Sequence, residues 1–175
     1  MMKRRIILGV AVSLDGFIEG PNGEYDWCFN DQDYGLTDFF KSIDSIFMGR
    51  KSFEVAQSNG GMDMWKGVTT YLFSNTIKTP PSEDVKLVRS MDEIAPIIHK
   101  PGKDIWLFGG AELTTAFVNA GLIDELWLSV HPILLGSGKP LFQNVDGRKD
   151  LKLTESKTYD SGLVSLKYSQ NKITN

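Results

Sequence analysis

Short runs of apolar residues alternate along the chain with stretches in which apolar residues recur every three or four positions. The first pattern is typical of strands and the second of helices, so the alternation predicts an α/β fold built on a central sheet. Strands are predicted at residues 6–14, 45–48, 69–73, 85–88, 104–108 and 125–130. Helices are predicted at residues 37–44, 51–56, 91–99 and 111–120.

Two segments depart from this alternation. Residues 15–33 are rich in Gly, Asn, Asp and Pro and predict one long loop. A loop of this length inside a compact domain usually has a function. Near the other end, residues 151–159 and 163–169 predict a hairpin, because Asp160-Ser161-Gly162 between them supplies a turn.

The N-terminal segment has two interpretations. Lys3-Arg4-Arg5, followed by apolar residues 6–14, imitates a secretory signal with a cleavage site at Ala11-Val12-Ser13. The alternative, which we prefer, is a first strand that ends at the turn Asp15-Gly16. The apolar run is too short to span a bilayer, which takes about 20 residues. We therefore expect a cytoplasmic protein with no membrane partner.

Charge and cysteine content exclude several classes of protein. The 19 Lys and Arg residues against 22 Asp and Glu residues leave a net charge of −3. This argues against a nucleic-acid partner, because phosphate binding needs a basic field. Cys28 is the single cysteine, so no internal disulfide and no all-cysteine metal site can form. We expect one globular domain over residues 1–175 and no metal site.

Two breaks in the pattern share one design, in which glycine follows an apolar strand and precedes a helix. They are Gly49-Arg50-Lys51-Ser52 and Gly109-Gly110-Ala111-Glu112-Leu113. Unpaired N–H groups at a helix start attract phosphate, and Arg50 and Lys51 add full positive charge. Glycine also lets a pyrophosphate approach the main chain. Either break alone could be a simple turn, but two in one α/β domain favour a dinucleotide site.

Other phosphate and catalytic motifs are not matched. The segment at residues 136–140 resembles the end of a P-loop, but Ile133 stands where glycine is required and Pro140 where Ser or Thr is required. The first strand is not followed by Gly-x-Gly-x-x-Gly. His99 and His131 have neither a serine elbow nor a zinc-ligand spacing, so structural roles are predicted for both.

Two carboxylates and one tryptophan are the remaining candidates. Asp15 ends the first strand, where α/β folds present functional groups, although it could also be a turn residue before glycine. Asp38 lies in the first predicted helix and faces either a pocket or solvent. Trp27 either walls a ligand pocket or covers the core. We take Asp15 and Asp38 as candidates for substrate anchoring or proton delivery, and Trp27 as a candidate substrate contact.

Four short motifs occur in the order used by dihydrofolate reductases, at residues 11–18 (AVSLDGFI), 48–54 (MGRKSFE), 72–75 (LFSN) and 107–111 (LFGGA). The Ser-Leu-Asp-Gly start and the tail at residues 122–142 resemble more closely the reductase domain of bacterial riboflavin biosynthesis, the RibD C-terminal domain. The resemblance covers essentially the whole chain, from Ile6 to the last hairpin.

This resemblance implies a dihydrofolate reductase-like fold, with a mostly parallel central sheet, an antiparallel C-terminal strand and helices on both faces. It also implies that NADPH binds across the carboxyl edge of the sheet. The implied cofactor contacts are Ala11, Ile18, Gly49, Arg50, Lys51, Ser52, Ser74, Asn75, Gly109, Gly110, Ala111, Glu112 and Leu113.

Each part of this set has an implied role. Ala11 and Ile18 would contact the nicotinamide, and the helix start at residues 50–52 would hold cofactor phosphates. Ser74 and Asn75 would lie beside the adenosine 2′-phosphate. Residues 109–113 would cradle the pyrophosphate, often over a cis Gly-Gly peptide. Trp27 matches a tryptophan near the substrate.

The chain also departs from its relatives at positions that bear on the substrate. Phe17 stands where riboflavin reductases usually carry Arg, which removes one partner for a substrate phosphate. Asp38 is the candidate for the acidic residue by which folate reductases anchor the pterin. Glu112 stands where folate reductases often have a basic residue. One cysteine also excludes the zinc deaminase domain that accompanies some riboflavin reductases.

We therefore expect an NADPH-dependent oxidoreductase that transfers a hydride to a C=N-type heterocyclic or ribosylamino substrate. It would resemble the 5-amino-6-(5-phosphoribosylamino)uracil reductase of riboflavin biosynthesis. A dihydrofolate or pterin reductase is one alternative, and a non-catalytic NADPH-binding module is another. The family also implies a homodimer, with the apolar C-terminal strands as the contact.

Overall fold

The protein is described by a computed structural model that covers residues 3–58, 60 and 65–170. Its helices are α1 (Leu36–Ser42), α2 (Arg50–Ser58), α3 (Ile94–Ile98), which follows a 3₁₀ turn at Met91–Glu93, and α4 (Ala111–Asn119). Its strands are β1 (Ile6–Ser13), β2 (Phe17–Glu19), β3 (Ile43–Gly49), β4 (Thr69–Phe73), β5 (Val85–Val88), β6 (Asp104–Gly109), β7 (Glu125–His131), β8 (Lys139–Pro140), β9 (Leu151–Thr158) and β10 (Val164–Gln170).

The main sheet has eight strands in the order β5-β4-β3-β6-β1-β7-β10-β9. The six strands from β5 to β7 are parallel to their neighbours, and β10 runs antiparallel between β7 and β9. The predicted fold class is thereby confirmed, and so is the predicted terminal hairpin. The predicted first strand is confirmed as well, since β1 lies between β6 and β7.

Alternation along the strands builds a core on each face of the sheet. In β1, Ile6 and Leu8 point to one face and Ile7 to the other, as the two-residue period of a strand requires. The first face packs against α3 and α4, which contribute Ile94 and Phe117. The second face packs against α1 and α2. Helices therefore cover both faces, as the sequence predicts.

The boundary between α1 and β3 differs from the prediction. Residues 43 and 44 are predicted to end the helix, but they begin the strand. Ile43 is only 3% exposed in the second core, and the Asp44 carboxylate pairs with the buried Arg4 guanidinium. Asp44 also accepts a hydrogen bond of 2.8 Å from the Lys103 N–H. These long-range contacts outweigh the helical pattern, so this boundary was predicted wrongly.

The loop at residues 15–33 contains a short strand that the sequence did not predict. Within it, β2 pairs antiparallel with β8 and forms a separate two-stranded sheet. The pairing brings Glu19 beside Lys139, which is 120 residues further along the chain, and their side chains form an ion pair of 3.2 Å. Among the residues that the structure describes, no helix is both long and apolar enough to cross a membrane.

Candidate functional site

The carboxyl ends of β3 and β6 form the point where the chain connections diverge. From β3 the chain passes through α2 to β4 on one side, and from β6 it passes through α4 to β7 on the other. The helices α2 and α4 lie on opposite faces of the sheet. Such a divergence opens a crevice at the carboxyl edge, and open α/β sheets bind ligands there.

The two predicted glycine breaks meet at this point. The residue before Gly49, Met48, pairs with Gly109 in the sheet, and even a Cβ placed on Gly49 would lie 3.6 Å from the carbonyl oxygen of Gly109, so the two turns are neighbours. A Cβ on Gly110 would lie only 3.2 Å from the Ser52 hydroxyl. The peptide between Gly109 and Gly110 is cis, which is the form that the resemblance implies. Glycine at these positions keeps the main chain accessible from the crevice.

A cavity of about 430 Å³ occupies the crevice, and we call it the switch-point cavity. It is lined by the ends of β3, β4, β5 and β6, the starts of α2 and α4, and one residue of β8. The lining residues are Gly49, Arg50, Lys51, Ser52, Phe73, Ser74, Asn75, Thr76, Val88, Arg89, Ser90, Met91, Gly110, Ala111, Glu112, Leu113, Ala116 and Lys139.

Most of the predicted cofactor contacts therefore share one cavity. Three of them do not line it. Gly109 lies directly beneath it, as the residue before Gly110. Ile18 lies on β2, where its neighbour Glu19 pairs with the lining residue Lys139. Ala11 opens instead into a second cavity, described below.

Positive charge dominates the switch-point cavity. Arg50, Lys51, Arg89 and Lys139 line it, against the single carboxylate of Glu112. The starts of the nine-residue helices α2 and α4 add unpaired N–H groups with partial positive charge. Arg50 pairs with Glu54 at 2.8 Å, but both side chains are exposed, and such a pair contributes little and yields readily to a ligand. The cavity therefore suits an extended anion with several phosphates.

Sequence reasoning missed Arg89, Ser90, Thr76 and Lys139. Arg89 and Ser90 follow β5 in the way that Ser74 and Asn75 follow β4, so the same strand-end argument could have found them. The Arg89 guanidinium donates to the Ser74 carbonyl oxygen and joins the two strand ends. Lys139 belongs to the segment that resembles the end of a P-loop, but nothing in the sequence placed it at this cavity, because only the pairing of β8 with β2 brings it there.

A second cavity of about 140 Å³ lies on the α1 face of the sheet, and we call it the aromatic cavity. Its walls come from the middle of β1, the end of β7, the loop before α1 and α1 itself. The lining residues are Gly9, Val10, Ala11, Cys28, Phe29, Tyr34, Leu36, Phe39, Trp106, Trp127, Ser129, His131 and Leu163. Apart from Ala11, none of them was predicted to bind a ligand.

Aromatic side chains give this cavity a rigid wall. The ring of Phe39 meets Trp106 and Trp127 edge-on, with centroids 5.5 and 4.9 Å away. The indole N–H of Trp127 donates to Ser165 at 2.7 Å, and that of Trp106 donates to the Gly9 carbonyl oxygen at 2.9 Å. Because these rings are fixed by packing and by hydrogen bonds, the cavity is preformed for a flat, apolar ligand.

His131 connects this cavity to the long loop in a defined tautomer. The Phe29 N–H donates to Nε2 at 3.1 Å, so Nε2 must be unprotonated. Nδ1 then carries the proton and donates to the Ser129 carbonyl oxygen at 2.9 Å. Burial lowers the pKa of His131, since a charged imidazole loses hydration there. Its structural role agrees with the prediction.

Cys28 and Trp27 lie side by side in the loop over this cavity. Burial raises the pKa of the Cys28 thiol to about 11, so it is a neutral group at ordinary pH and not a nucleophile. The Trp27 ring packs edge-on against His131, with centroids 5.2 Å apart. Trp27 does not line either cavity and is separated from the aromatic cavity by that imidazole. Its contact with substrate stays a prediction.

The two candidate catalytic carboxylates are not brought together. Asp15 accepts hydrogen bonds from the Ser13 hydroxyl at 2.6 Å and from the Gly136 N–H at 2.7 Å, and these bonds lower its pKa. Asp38 is 90% exposed and pairs with Lys41 at 3.2 Å. Neither carboxylate lines either cavity. Their catalytic roles remain predictions, and their positions favour structural and surface roles.

A crevice at the divergence of two strand connections, with glycine turns and a cationic lining, is typical of the open α/β domains that bind ligands at the carboxyl edge of the sheet. Within the described residues, no group of three or more His, Cys, Asp or Glu side chains is arranged to hold a metal ion. The model of the RibD C-terminal domain family matches residues 4–165, and the chain belongs to this family. The resemblance seen in the sequence is thereby confirmed.

Individual relatives agree with this assignment. The Bacillus subtilis (strain 168) protein called "Uncharacterized protein YyaP" is 44% identical over 183 residues, which cover 98% of this chain and 97% of the relative. A solved structure from Shewanella sp. PV-4, whose name assigns it provisionally to riboflavin biosynthesis, has a TM-score of 0.86 and 28% identity and covers 98% and 100% of the two chains.

The dihydrofolate reductase fold is shown by a more distant structure. The Enterococcus faecalis dihydrofolate reductase, solved in complex with NADP(H) and RAB-propyl, has a TM-score of 0.68 at 20% identity. The match covers 95% of this chain and 96% of that one. At the family level, these comparisons support an oxidoreductase.

Proposed function

We propose that the protein is an NADPH-dependent reductase that transfers a hydride to a C=N-type carbon of a heterocyclic or ribosylamino substrate. The observation that carries this proposal is the switch-point cavity. Two strand–glycine–helix turns lie side by side there, and four cationic side chains line the same cavity. NADPH, when bound, supplies the hydride, and the chain supplies binding, orientation and exclusion of water.

The residues that line the switch-point cavity would hold an extended dinucleotide in one orientation. Ser74, Asn75 and Arg89 lie at the β4–β5 end of the cavity, where a 2′-phosphate would find a guanidinium and two polar side chains. Gly49 and Gly110 offer accessible main chain for a pyrophosphate in the middle. The opposite end of such a ligand would then point towards β1.

The aromatic cavity lies at that opposite end. Ala11 on β1 lines it, and β1 is the strand next to β6 in the sheet. Neighbouring strands are about 4.8 Å apart, so a nicotinamide that reaches from the β6 end to β1 would arrive at the mouth of this cavity. Hydride transfer needs the two reacting carbons in contact, so the substrate ring would lie in the aromatic cavity against the nicotinamide.

A cofactor titration tests the proposal. The tryptophan fluorescence of the purified protein is followed with NADPH and, in parallel, with NADH. We expect micromolar binding of NADPH, and binding of NADH weaker by about tenfold, or about 1.4 kcal/mol. Equal affinity for the two cofactors would refute the 2′-phosphate assignment. No binding of either would refute the reductase.

Turnover separates the proposed enzyme from a non-catalytic NADPH-binding module. NADPH oxidation is measured at 340 nm with a panel of pyrimidine, pterin and simple cyclic imine substrates. Oxidation with a pyrimidine or ribosylamino compound would support the riboflavin-type reductase, and preference for a dihydropterin would support the folate-type alternative. Tight NADPH binding without turnover of any compound would support the binding module.

We also propose that the enzyme is a homodimer that pairs through its C-terminal hairpin. The strand β9 forms one edge of the sheet, and all eight of its residues are exposed, Leu151 and Leu153 among them. An edge strand with exposed apolar side chains is a template for pairing with a second copy. Light scattering should show a dimer that Leu153→Lys dissociates. The matched change Leu134→Lys, on an exposed leucine outside the hairpin, should leave it intact.

A further inference from the structure

The aromatic cavity differs from the switch-point cavity in charge as well as in size. None of its lining residues is Lys, Arg, Asp or Glu. Its one histidine is held neutral, because Nε2 accepts from Phe29 and Nδ1 donates to Ser129. A phosphate buried here would have no cation to replace its hydration, and burying an unpaired charge is strongly unfavourable.

The segment that builds most of this cavity also lacks cationic side chains outside the lining. Residues 6–40 contribute Gly9, Val10, Ala11, Cys28, Phe29, Tyr34, Leu36 and Phe39 to the lining. This segment contains no Lys or Arg, and its acidic residues are Asp15, Glu19, Glu24, Asp26, Asp31, Asp33 and Asp38. The field of these carboxylates repels an approaching anion and attracts a cation.

Two lysines lie on elements that pack around the cavity, and both are occupied. Lys167 has its ammonium 5.5 Å from the centroid of the Trp127 ring and pairs with Glu155 at 3.1 Å. Lys41 pairs with Asp38 at 3.2 Å. Neither lines the cavity. Neither of these two lysines therefore supplies a site for a phosphate inside the aromatic cavity.

The size of the cavity limits the substrate further. A volume of about 140 Å³ matches the apolar cavities of about 150 Å³ that hold a single benzene-sized ring. The rims at Phe29 and Leu36, 38% and 40% exposed, leave an opening through which a ring can enter. A ring fits between these walls, whereas a phosphate attached to it would find no cation in the lining and would lie in the field of the carboxylates of residues 6–40.

We propose that the aromatic cavity is specific for an unphosphorylated ring that is neutral or cationic, and that it excludes anionic substrates. This inference rests on the proposed reductase function, and it distinguishes the substrate from a phosphoribosylamino pyrimidine. The protein would then act on a free base or a similar small heterocycle that has already lost, or never carried, a phosphate.

Matched ligands test the exclusion of anions. Binding is measured calorimetrically for uracil against orotate, which adds a carboxylate to the same ring, and for uridine against uridine 5′-monophosphate. The cation 2,4-diaminopyrimidine completes the series. Each titration is made with and without saturating NADP⁺, so that a phosphate bound in the switch-point cavity is recognised by its displacement. We expect uracil or 2,4-diaminopyrimidine to bind at least tenfold more tightly than orotate and the monophosphate.

A single substitution should reverse the preference. Leu36→Arg places a guanidinium on the wall of the aromatic cavity, at an exposed position where the fold tolerates a polar side chain. It should raise the affinity for orotate at least tenfold relative to uracil, and the neutral control Leu36→Gln should not. An orotate affinity equal to that of uracil in the unmodified protein, or no binding of any uncharged or cationic ring, would overturn the proposal.

Failure of the proposed reductase function and failure of the present inference give different results. NADPH binding is measured separately at the switch-point cavity, and its absence would refute the proposed function. In that case the ring series without cofactor still decides whether the aromatic cavity excludes anions. Conversely, tight NADPH binding together with tight binding of the monophosphate in the presence of NADP⁺ would refute only the present inference.

Discussion

The switch-point cavity and the aromatic cavity are built in different ways. The switch-point cavity is formed largely by main chain and short local motifs, which follow the strand ends. The aromatic cavity is formed by side chains from segments more than a hundred residues apart, such as Phe29 and His131. A ligand site made of local motifs can be lost without loss of the fold, whereas a site made of core side chains cannot.

The largest expected effect is on stability, in the aromatic cavity. Phe39→Ala removes a buried ring that packs on two tryptophans and lines the cavity. We expect urea denaturation to show a loss of about 3–5 kcal/mol in the free energy of unfolding, because the ring is buried against two tryptophans and its removal leaves a void. Phe39→Leu should lower the free energy of unfolding much less. A loss below about 1 kcal/mol for the alanine variant would contradict this account of the cavity wall.

The next effect is on binding, in the switch-point cavity. Gly110→Val places a branched side chain where even a Cβ would lie 3.2 Å from the Ser52 hydroxyl, and it covers the main chain. We expect NADPH affinity to fall at least about 100-fold, or about 2.7 kcal/mol, because the pyrophosphate can no longer approach. Fluorescence titration measures it. Ala120→Val, at the exposed end of the same helix region, is the control and should bind normally.

A smaller effect separates the two ends of the switch-point cavity. Arg89→Ala removes the cation beside Ser74 and should weaken NADPH binding about tenfold, or about 1.4 kcal/mol, while it leaves NADH binding unchanged. Arg148→Ala, at an exposed position outside both cavities, is the matched control. An equal loss for both cofactors would place Arg89 against a phosphate that they share.

A pH effect belongs to the aromatic cavity alone. Burial lowers the pKa of His131 below the ordinary value of 6.5 that it regains on unfolding. Between the native pKa and pH 6.5, the unfolded chain therefore binds more protons than the folded protein. The contribution of neutral His131 to the free energy of unfolding is complete above pH 6.5 and is lost as the pH falls towards the native pKa. Urea unfolding between pH 5 and 8 should show this slope, and His131→Gln should remove it. His99→Gln, at an exposed histidine, should retain it.

The smallest expected effect concerns the two carboxylates. Asp38→Asn should leave both NADPH affinity and the rate of hydride transfer unchanged, because the side chain is exposed and lies outside both cavities. Asp15→Asn should weaken the link to the Gly136 loop without changing NADPH affinity. Pre-steady-state rates across a pH series measure both variants. Slower hydride transfer at high pH in either one would restore it as the proton donor that the sequence suggests.

The switch-point cavity was largely predictable from the sequence, and the aromatic cavity was not. The segments at residues 49–52 and 109–113 are contiguous, and parallel strands bring their carboxyl ends to one edge whatever the details of packing. Lys139 and the aromatic lining had no such local signal. Trp127 and Phe39 looked like ordinary core residues, because a residue that packs in the core and one that lines a pocket have the same hydrophobic pattern.

By itself, the sequence determined the alternation of strands and helices, the terminal hairpin and the pair of glycine turns, since these depend on local periodicity and backbone freedom. Only the tertiary structure decided that Ile43 starts a strand, that β8 carries Lys139 to the switch-point cavity, and that His131 holds Phe29 over the aromatic cavity. The reason is physical. These contacts join distant segments, and their free energy depends on burial and charge that no stretch of the chain possesses before it folds.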